Sequence, residues 1–293
     1  MEKTLKLKKT GAFNKKTLSE YILYSIVFLV FAFFAFTYAY MVFWCFYSGL
    51  RLPDDIAANP FAFSTVRFAN YLDVFTLMET NGVGFLGMTL NSIYFSLFGC
   101  GISIMLTTML AYVCSKYRFP GSKLIPSIIL IMIMLPIYGT GTAMYKLVYY
   151  MGIMNSRLMV ITSIGGFNIY FLYMHSFFSG VSWSYGEAAE IDGANEWQIF
   201  FKIMFPQSIA MAGSLYVMMW LTEWNAYANA LIYLPKLPTL AVGIYQFKTQ
   251  MQYDSKMNIL FAGCFVSMIP PLVIFILCNG ALMSNVSLGG IKE

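Results

Sequence analysis

Ser184-Tyr185-Gly186-Glu187-Ala188-Ala189-Glu190-Ile191-Asp192-Gly193-Ala194-Asn195-Glu196-Trp197-Gln198 is an acidic island in a chain built mostly of apolar runs. Ser184 lies three residues before Glu187, the spacing of a capping box, and predicts a helix beginning there. Gly193 can adopt the left-handed conformation that closes a helix, and Asn195 with Gln198 offers a second start. Two short helices around a glycine corner are therefore expected. Ala188 and Ala189 leave the first helix with a nearly bare face, Ile191, Ile199, Phe200 and Ile203 supply apolar anchors, and Pro206 marks entry into the next apolar run. Composition alone also allows an amphipathic helix lying on the membrane. Its acidity opposes that reading, because anionic lipid repels carboxylates and a basic protein groove attracts them.

On either side of the island the chain is unlike a soluble domain. Of 293 residues, 59% are hydrophobic and only 11% charged, against roughly 25% charged in soluble proteins. The net charge of +5 is small; it sets membrane topology rather than forming a nucleic-acid footprint. A crossing needs about 20 apolar residues. Six such segments are expected, at about Tyr21–Tyr47, Leu90–Val113, Leu124–Met144, Leu158–Phe178, Ser208–Trp224 and Ile259–Leu277, giving an all-α membrane protein. The first is far longer than the roughly 7–15 apolar residues of a secretory signal, and no small-residue cleavage site follows it.

Orientation follows from the positive charges. An amino-terminal arm with Lys3, Lys6, Lys8, Lys9, Lys15 and Lys16 joins Lys116, Arg118, Lys123, Lys202 and Lys292 on one side. Arg51, Arg67, Lys146, Arg157, Lys236, Lys248 and Lys256 fall on the other, mostly in longer loops where the bias is weak. Both termini and the island are thus expected in the cytoplasm. The organisation reads as a basic arm at 1–20, a first span with an outer loop at 21–83, a five-helix core at 84–284 containing the loop 184–206, and a cytoplasmic tail at 285–293.

Catalytic and cofactor signatures are absent from the sequence. There is no G-x-x-x-x-G-K-[ST] to cradle ATP phosphates, no H-E-x-x-H and no G-x-S-x-G. Cys45, Cys100, Cys114, Cys264 and Cys278 lie in apolar runs without a CxxC, which suits packing better than a metal site. His175 stands alone and reads as a packing residue. No cofactor or metal is expected on this chain. The ionisable group set inside a span is Glu223, followed by Trp224, Asn225, Tyr227 and Asn229. Intramembrane charge points to a transport path, and a carboxylate, amides and flat rings together suit a neutral sugar. The same cluster also fits an interfacial aromatic belt with a polar helix end. Pro126, Pro136 and the Gly139-Thr140-Gly141 run in the third span, and Pro270-Pro271 in the sixth, read as kinks or as marks of a moving pathway.

The motifs bring a known family into view. Glu187-Ala188-Ala189, Asp192-Gly193-Ala194, Ile203 and Pro206 resemble the EAA loop of ABC-importer permeases, specifically the maltose-type sugar-uptake class. The resemblance extends to Asn70-Tyr71, Asn91-Ser92, Ala111-Tyr112 with Phe119-Pro120-Gly121, Leu135-Pro136, Tyr149 to Asn155, Trp224-Asn225 and Ser287 to Lys292, covering roughly residues 20–292. Gly186 departs from it where many members carry a second Glu, as does Gly290-Ile291 in a short tail. The resemblance implies a type I importer permease in a bacterial cytoplasmic membrane, paired with a homologous permease. A separate ATP-hydrolysing subunit would grip the eight loop residues just named, and an extracytoplasmic solute-binding protein would deliver carbohydrate. An ion-coupled secondary transporter is the competing class. It needs buried coupling residues on an inverted repeat, and the six segments show no such pair. A membrane-bound enzyme needs clustered catalytic groups, which the sequence lacks.

Overall fold

In the computed structural model, residues 18–135, 140–163, 165–250 and 256–286 are described. The lysines of the arm, Pro136, Gly139 and the Ser287 to Lys292 tail lie outside them. The chain is almost wholly helical. Helix α1 (Leu18–Leu50) is apolar and exposed until its last turn. Short helices α2 (Pro53–Ala58) and α3 (Ala69–Leu77) lead to a hairpin of β1 (Glu79–Thr80) and β2 (Val83–Gly84). Asn81 and Gly82 turn that hairpin with φ of 52° and 81°, the Asn-Gly geometry whose twist matches paired strands.

Helix α4 (Phe85–Lys116) follows, 32 residues without a break. Then come α5 (Leu124–Met134), α6 (Thr140–Tyr150), a 3-10 turn at Arg157–Ser163 and α7 (Ile169–Gly180). The acidic island forms α8 (Ser184–Ile191) and α9 (Glu196–Ile199), and a π turn at Phe200–Met204 carries the chain into α10 (Phe205–Asn225). Helices α11 (Ala228–Tyr233), α12 (Leu240–Gln250) and α13 (Met257–Val286) complete the described chain.

Among the described residues, four helices are long and apolar enough to cross a bilayer: Leu18–Leu50, Phe85–Lys116, Glu196–Asn225 and Met257–Cys278. They contain the first, second, fifth and sixth expected segments. The third and fourth are each divided into two shorter pieces: α5 ends at Met134, close to the kink expected at Pro136, whereas the fourth was expected unbroken. The fourth breaks where Asn168 accepts hydrogen bonds from the amides of Tyr170 and Phe171 at 3.0 and 3.2 Å, capping α7 afresh in mid-run. Pro206 likewise does not open the fifth helix, which runs through from Glu196 and holds Pro206 in the first turn of α10. Pro270 and Pro271 sit inside α13 without ending it.

Packing divides the bundle into two main cores. Near one end, Tyr112, Phe171, Phe178, Ile199, Phe200 and Met204 join α4, α7 and the π turn. Toward the other, Val74, Phe85, Met88, Trp220, Trp224 and Ile259 join α3, α4, α10 and α13. Where α1 crosses α13, Ser48, Gly49 and Ala262 bring the backbones close, the small-residue contact that replaces hydrophobic drive in lipid.

Several loops are held by side chains that reach for backbone. Asn70 donates to the carbonyls of Gly49 and Arg51, and Asn91 to that of Pro238. Ser92 Oγ accepts from the Leu240 amide at 2.7 Å and Asn155 Oδ1 from the Lys236 amide at 2.9 Å. The buried Arg51 binds four oxygens, on Ser64, Pro60, Asp55 and Asn59.

Candidate functional site

Between the second core and a smaller apolar cluster around Met159, Tyr233 and Leu234 lies a cavity of about 690 Å³, within the range of small-molecule sites. One wall is the face of α4 bearing Ser92, Ser96, Gly99, Cys100 and Ser103, residues three to four apart and hence on one side of a helix. Opposite stand Thr222 and Glu223 from α10, with Asn229 and Tyr233 from α11. The broken fourth segment adds Thr162, Ser163, Asn168 and Tyr170. Glu223 is the charged side chain among the described lining residues. Hydroxyls and amides that both donate and accept, beside one carboxylate that accepts, make a surface able to exchange hydrogen bonds with a polyhydroxylated molecule.

Of the five residues expected on this path, the cavity brings together Glu223 and Asn229. The other three do not line it. Trp224 is one step around the helix, buried against α13, where its indole donates to the Ser267 carbonyl at 3.3 Å and stacks on Trp220. Asn225 donates to the Leu221 carbonyl of its own helix. Tyr227 stacks on Tyr245 at 4.4 Å and so ties α12 to the end of α10. The rings facing the cavity belong instead to Phe95, Phe167, Tyr170 and Tyr233. Sequence reading missed the hydroxyl wall of α4, although its helical spacing is visible in the sequence. His175 packs on Phe171 at 5.8 Å and does not line the cavity.

The acidic island forms the expected two helices and corner. Gly193 has φ +80°, a backbone region costly for residues bearing a Cβ. The expected capping box at Ser184 is not formed. Trp183 occupies the cap position without a side-chain cap, and Ser184 Oγ instead pairs with Ser182 Oγ. The second box is complete, with Asn195 Oδ1 accepting from the Gln198 amide and Gln198 Oε1 from the Asn195 amide, both at 2.9 Å. Gly186, the departure noted in the motif, lies flat on Trp183, whose ring would sit 2.8 Å from a Cβ placed there. A second Glu at that position would have to displace the indole.

Glu187, Ala188, Asp192 and Gly193 are exposed, as is Pro206, while Ala194 and Ile203 are half-buried. Ala189 is turned inward and buried, so the bare face narrows to Ala188. Of the four expected anchors, Ile199 and Phe200 are spent on the chain's own core, whereas Ile191 is 87% exposed. Glu187, Glu190 and Asp192 pair with no cation among the described residues. Glu196 accepts a hydrogen bond from the Tyr117 hydroxyl. Burial, then that bond, holds the Tyr117 phenol above the ordinary tyrosine range.

A profile of the family described as "binding-protein-dependent transport system inner membrane component" matches residues 103–286, most of the chain and all of the acidic loop. The chain belongs to this family. It is therefore a multi-pass inner-membrane component of a binding-protein-dependent transport system rather than an enzyme. The diacetylchitobiose uptake system permease protein NgcG of Streptomyces coelicolor is 27% identical over 84% of this chain and 82% of its own length. The galactooligosaccharides transport system permease protein GanQ of Bacillus subtilis is 26% identical over 93% and 96%. In fold, the component matches a chain from the crystal structure of a bacterial ABC transporter involved in the import of the acidic polysaccharide alginate. The TM-score is 0.74 at 20% identity, covering 90% of this chain and 98% of that one.

Proposed function

We propose that this component is one of two homologous permease subunits of an ATP-driven carbohydrate importer, and that the cavity beside Glu223 is its half of the sugar passage. It crosses the bilayer six times with both termini in the cytoplasm. The third crossing is built from α5 and α6, the fourth from the 3-10 turn and α7. Broken helices are tolerated at membrane depth where they border a polar cavity, and the fourth does so here. The exposed acids of α8 and its corner, with Ile191 beside them, fit a cleft on the ATP-hydrolysing subunit that is basic at its rim and apolar at its floor. ATP is bound by that subunit and no cofactor by this chain.

The observation that carries the reading is the cavity's chemistry: hydroxyls and amides on several helices around a single carboxylate. Relatives named for diacetylchitobiose, galactooligosaccharides and trehalose support the same substrate class. Nothing in the cavity pairs carboxylates across a proton path, so the ion-coupled alternative gains no support. Reconstitution of the assembled complex in proteoliposomes with its binding protein tests the reading. Saccharide uptake should require internal or external ATP on the side of the ATP-hydrolysing subunits and ignore an imposed proton gradient. Uptake driven by the gradient without ATP would overturn it.

A further inference from the structure

Besides sharing a core with α7, the loop is tied by side chains at both of its ends to the last turn of α4 and the residue after it. At the loop's entry, Lys116 Nζ donates to the Val181 carbonyl, and the Trp183 ring packs edge-on against Tyr117 at 5.8 Å. At its exit, Glu196 accepts the Tyr117 hydroxyl and the Phe200 ring lies 5.1 Å from that of Tyr112. Tyr112 and Tyr117 share a hydrogen bond of 3.1 Å. Because the single Tyr117 proton goes to the carboxylate, Tyr112 is the donor in that bond, and the chain runs Tyr112 to Tyr117 to Glu196.

What these contacts join matters. Glu196 begins the helix that passes through the π turn into α10 and ends at the cavity with Glu223, so α10 is covalently continuous with the loop. Helix α4 forms the opposite cavity wall and has no such continuity. It is one uninterrupted helix from Phe85 to Lys116, about 48 Å at 1.5 Å per residue, with its first lining residue, Ser103, about 14 Å along the axis from Tyr112. A displacement of its last turn therefore travels to the cavity as a rigid-body shift. Helix α7, the other element next to the loop, is cut off from the outer half of its crossing by the new start at Asn168.

We propose that Tyr117 and Glu196 form a strut that delivers the loop's movement to α4, so that both cavity walls move together. Tyr117 and Glu196 are positioning residues, with no contact to the transported molecule. The inference rests on the loop being gripped by the ATP-hydrolysing subunit. A charge-assisted bond of this kind, flanked by the ring contacts of Tyr117 with Tyr112 and Trp183, fixes the geometry between the loop and the end of α4. Without it, the loop would drag α10 and leave α4 behind.

The test uses the complete complex in proteoliposomes. Tyr117→Phe keeps the ring contacts and removes only the hydroxyl; Glu196→Ala removes the acceptor; Glu196→Gln keeps an acceptor oxygen. For each, copurification of the ATP-hydrolysing subunit, thermal midpoint, ATP hydrolysis and saccharide taken up per ATP are measured. Tyr117→Phe and Glu196→Ala should retain the motor subunit, the midpoint and hydrolysis, with uptake per ATP falling on the order of tenfold. Glu196→Gln should recover most of it, Tyr112→Phe should stay close to wild type, and the double variant Tyr117→Phe/Glu196→Ala should be no worse than either single one. Unchanged uptake per ATP in Tyr117→Phe, a loss matched by a lowered midpoint, or additive losses in the double variant would overturn the strut while leaving the docking of the loop intact. Failure of the wild-type chain to hold the motor subunit would overturn the docking itself, and the strut with it.

Discussion

Replacing Arg51 by Met should collapse the loop that follows α1 without touching the cavity. The guanidinium is 1% exposed and stacks near Tyr47. Its Nε donates to Ser64 Oγ at 2.9 Å, Nη1 to the Pro60 carbonyl at 2.9 Å, and Nη2 to the carbonyls of Asp55 and Asn59 at 2.7 and 2.8 Å. No carboxylate takes part in these bonds, so the cation's role is to gather the acceptors of a folded-back loop. Four bonds to a charged donor are worth about 1.5 kcal/mol or more each, but desolvating the cation costs several kcal/mol. The net contribution is thus modest. Deletion costs more, because it removes the donor that gathers four acceptors at once, although the three carbonyls keep the Trp44 indole and the Asn59 and Ala62 amides as partners, and we expect a loss of about 1–3 kcal/mol. Arg51→Lys should fall between, since an ammonium has three donors and cannot fork across the same span. The assay is limited proteolysis between residues 52 and 68, with thermal exposure of the half-buried and buried cysteines read by a thiol-reactive dye. Wild-type protease resistance and an unchanged thermal midpoint in Arg51→Met would refute the reasoning.

Glu223→Gln should lower saccharide uptake at saturating binding protein by about tenfold, the value of one charge-assisted bond, with basal ATP hydrolysis unchanged; uptake assays in proteoliposomes read this directly. Gly193→Ala should strain the corner by about 1–2 kcal/mol because φ stays positive, weakening capture of the ATP-hydrolysing subunit in a pull-down, while Glu187→Lys should leave the protein inserted and abolish ATP-coupled uptake. Ser92→Ala should unpin the segment before α12 by removing the acceptor of the Leu240 amide, seen as faster hydrogen exchange at that amide. The Tyr117 phenol, held above its usual range by burial and by Glu196, keeps its proton in the folded state after an unfolded tyrosine would have lost it near pH 10. Its stabilising contribution is therefore complete below about pH 10 and declines above it, so uptake per ATP should show no loss from this group between about pH 6 and 9.

The apolar crossings were legible because length and hydropathy decide them whatever the packing. Their interruption was harder to see. In the third segment Pro136 and the Gly139-Thr140-Gly141 run did mark it, but in the fourth Gly165-Gly166-Phe167-Asn168 barely lowers a hydropathy average, yet Asn168 is a helix cap in the structure. The corner at Gly193 and the box at Asn195 could be read because each depends on one residue's local chemistry. The box at Ser184 could not, since Trp183 folding under Gly186 changes how the helix begins. Asn70, Asn91 and Asn155 stood out as motif members, and the structure shows why they are amides: each ties a loop through backbone. The candidate path was half legible. Glu223 and Asn229 follow from polar chemistry in an apolar run, but Trp224 and Tyr227 required knowing which side of α10 faces α13 and α12.

The most direct measurement places a photocrosslinking amino acid at Ile191, the most exposed large apolar residue of the acidic loop, in the assembled complex. An adduct with the ATP-hydrolysing subunit is expected, with a yield that changes between nucleotide-free and ATP-bound states. Adducts with lipid alone, or no adduct in either state, would contradict the docking of the loop.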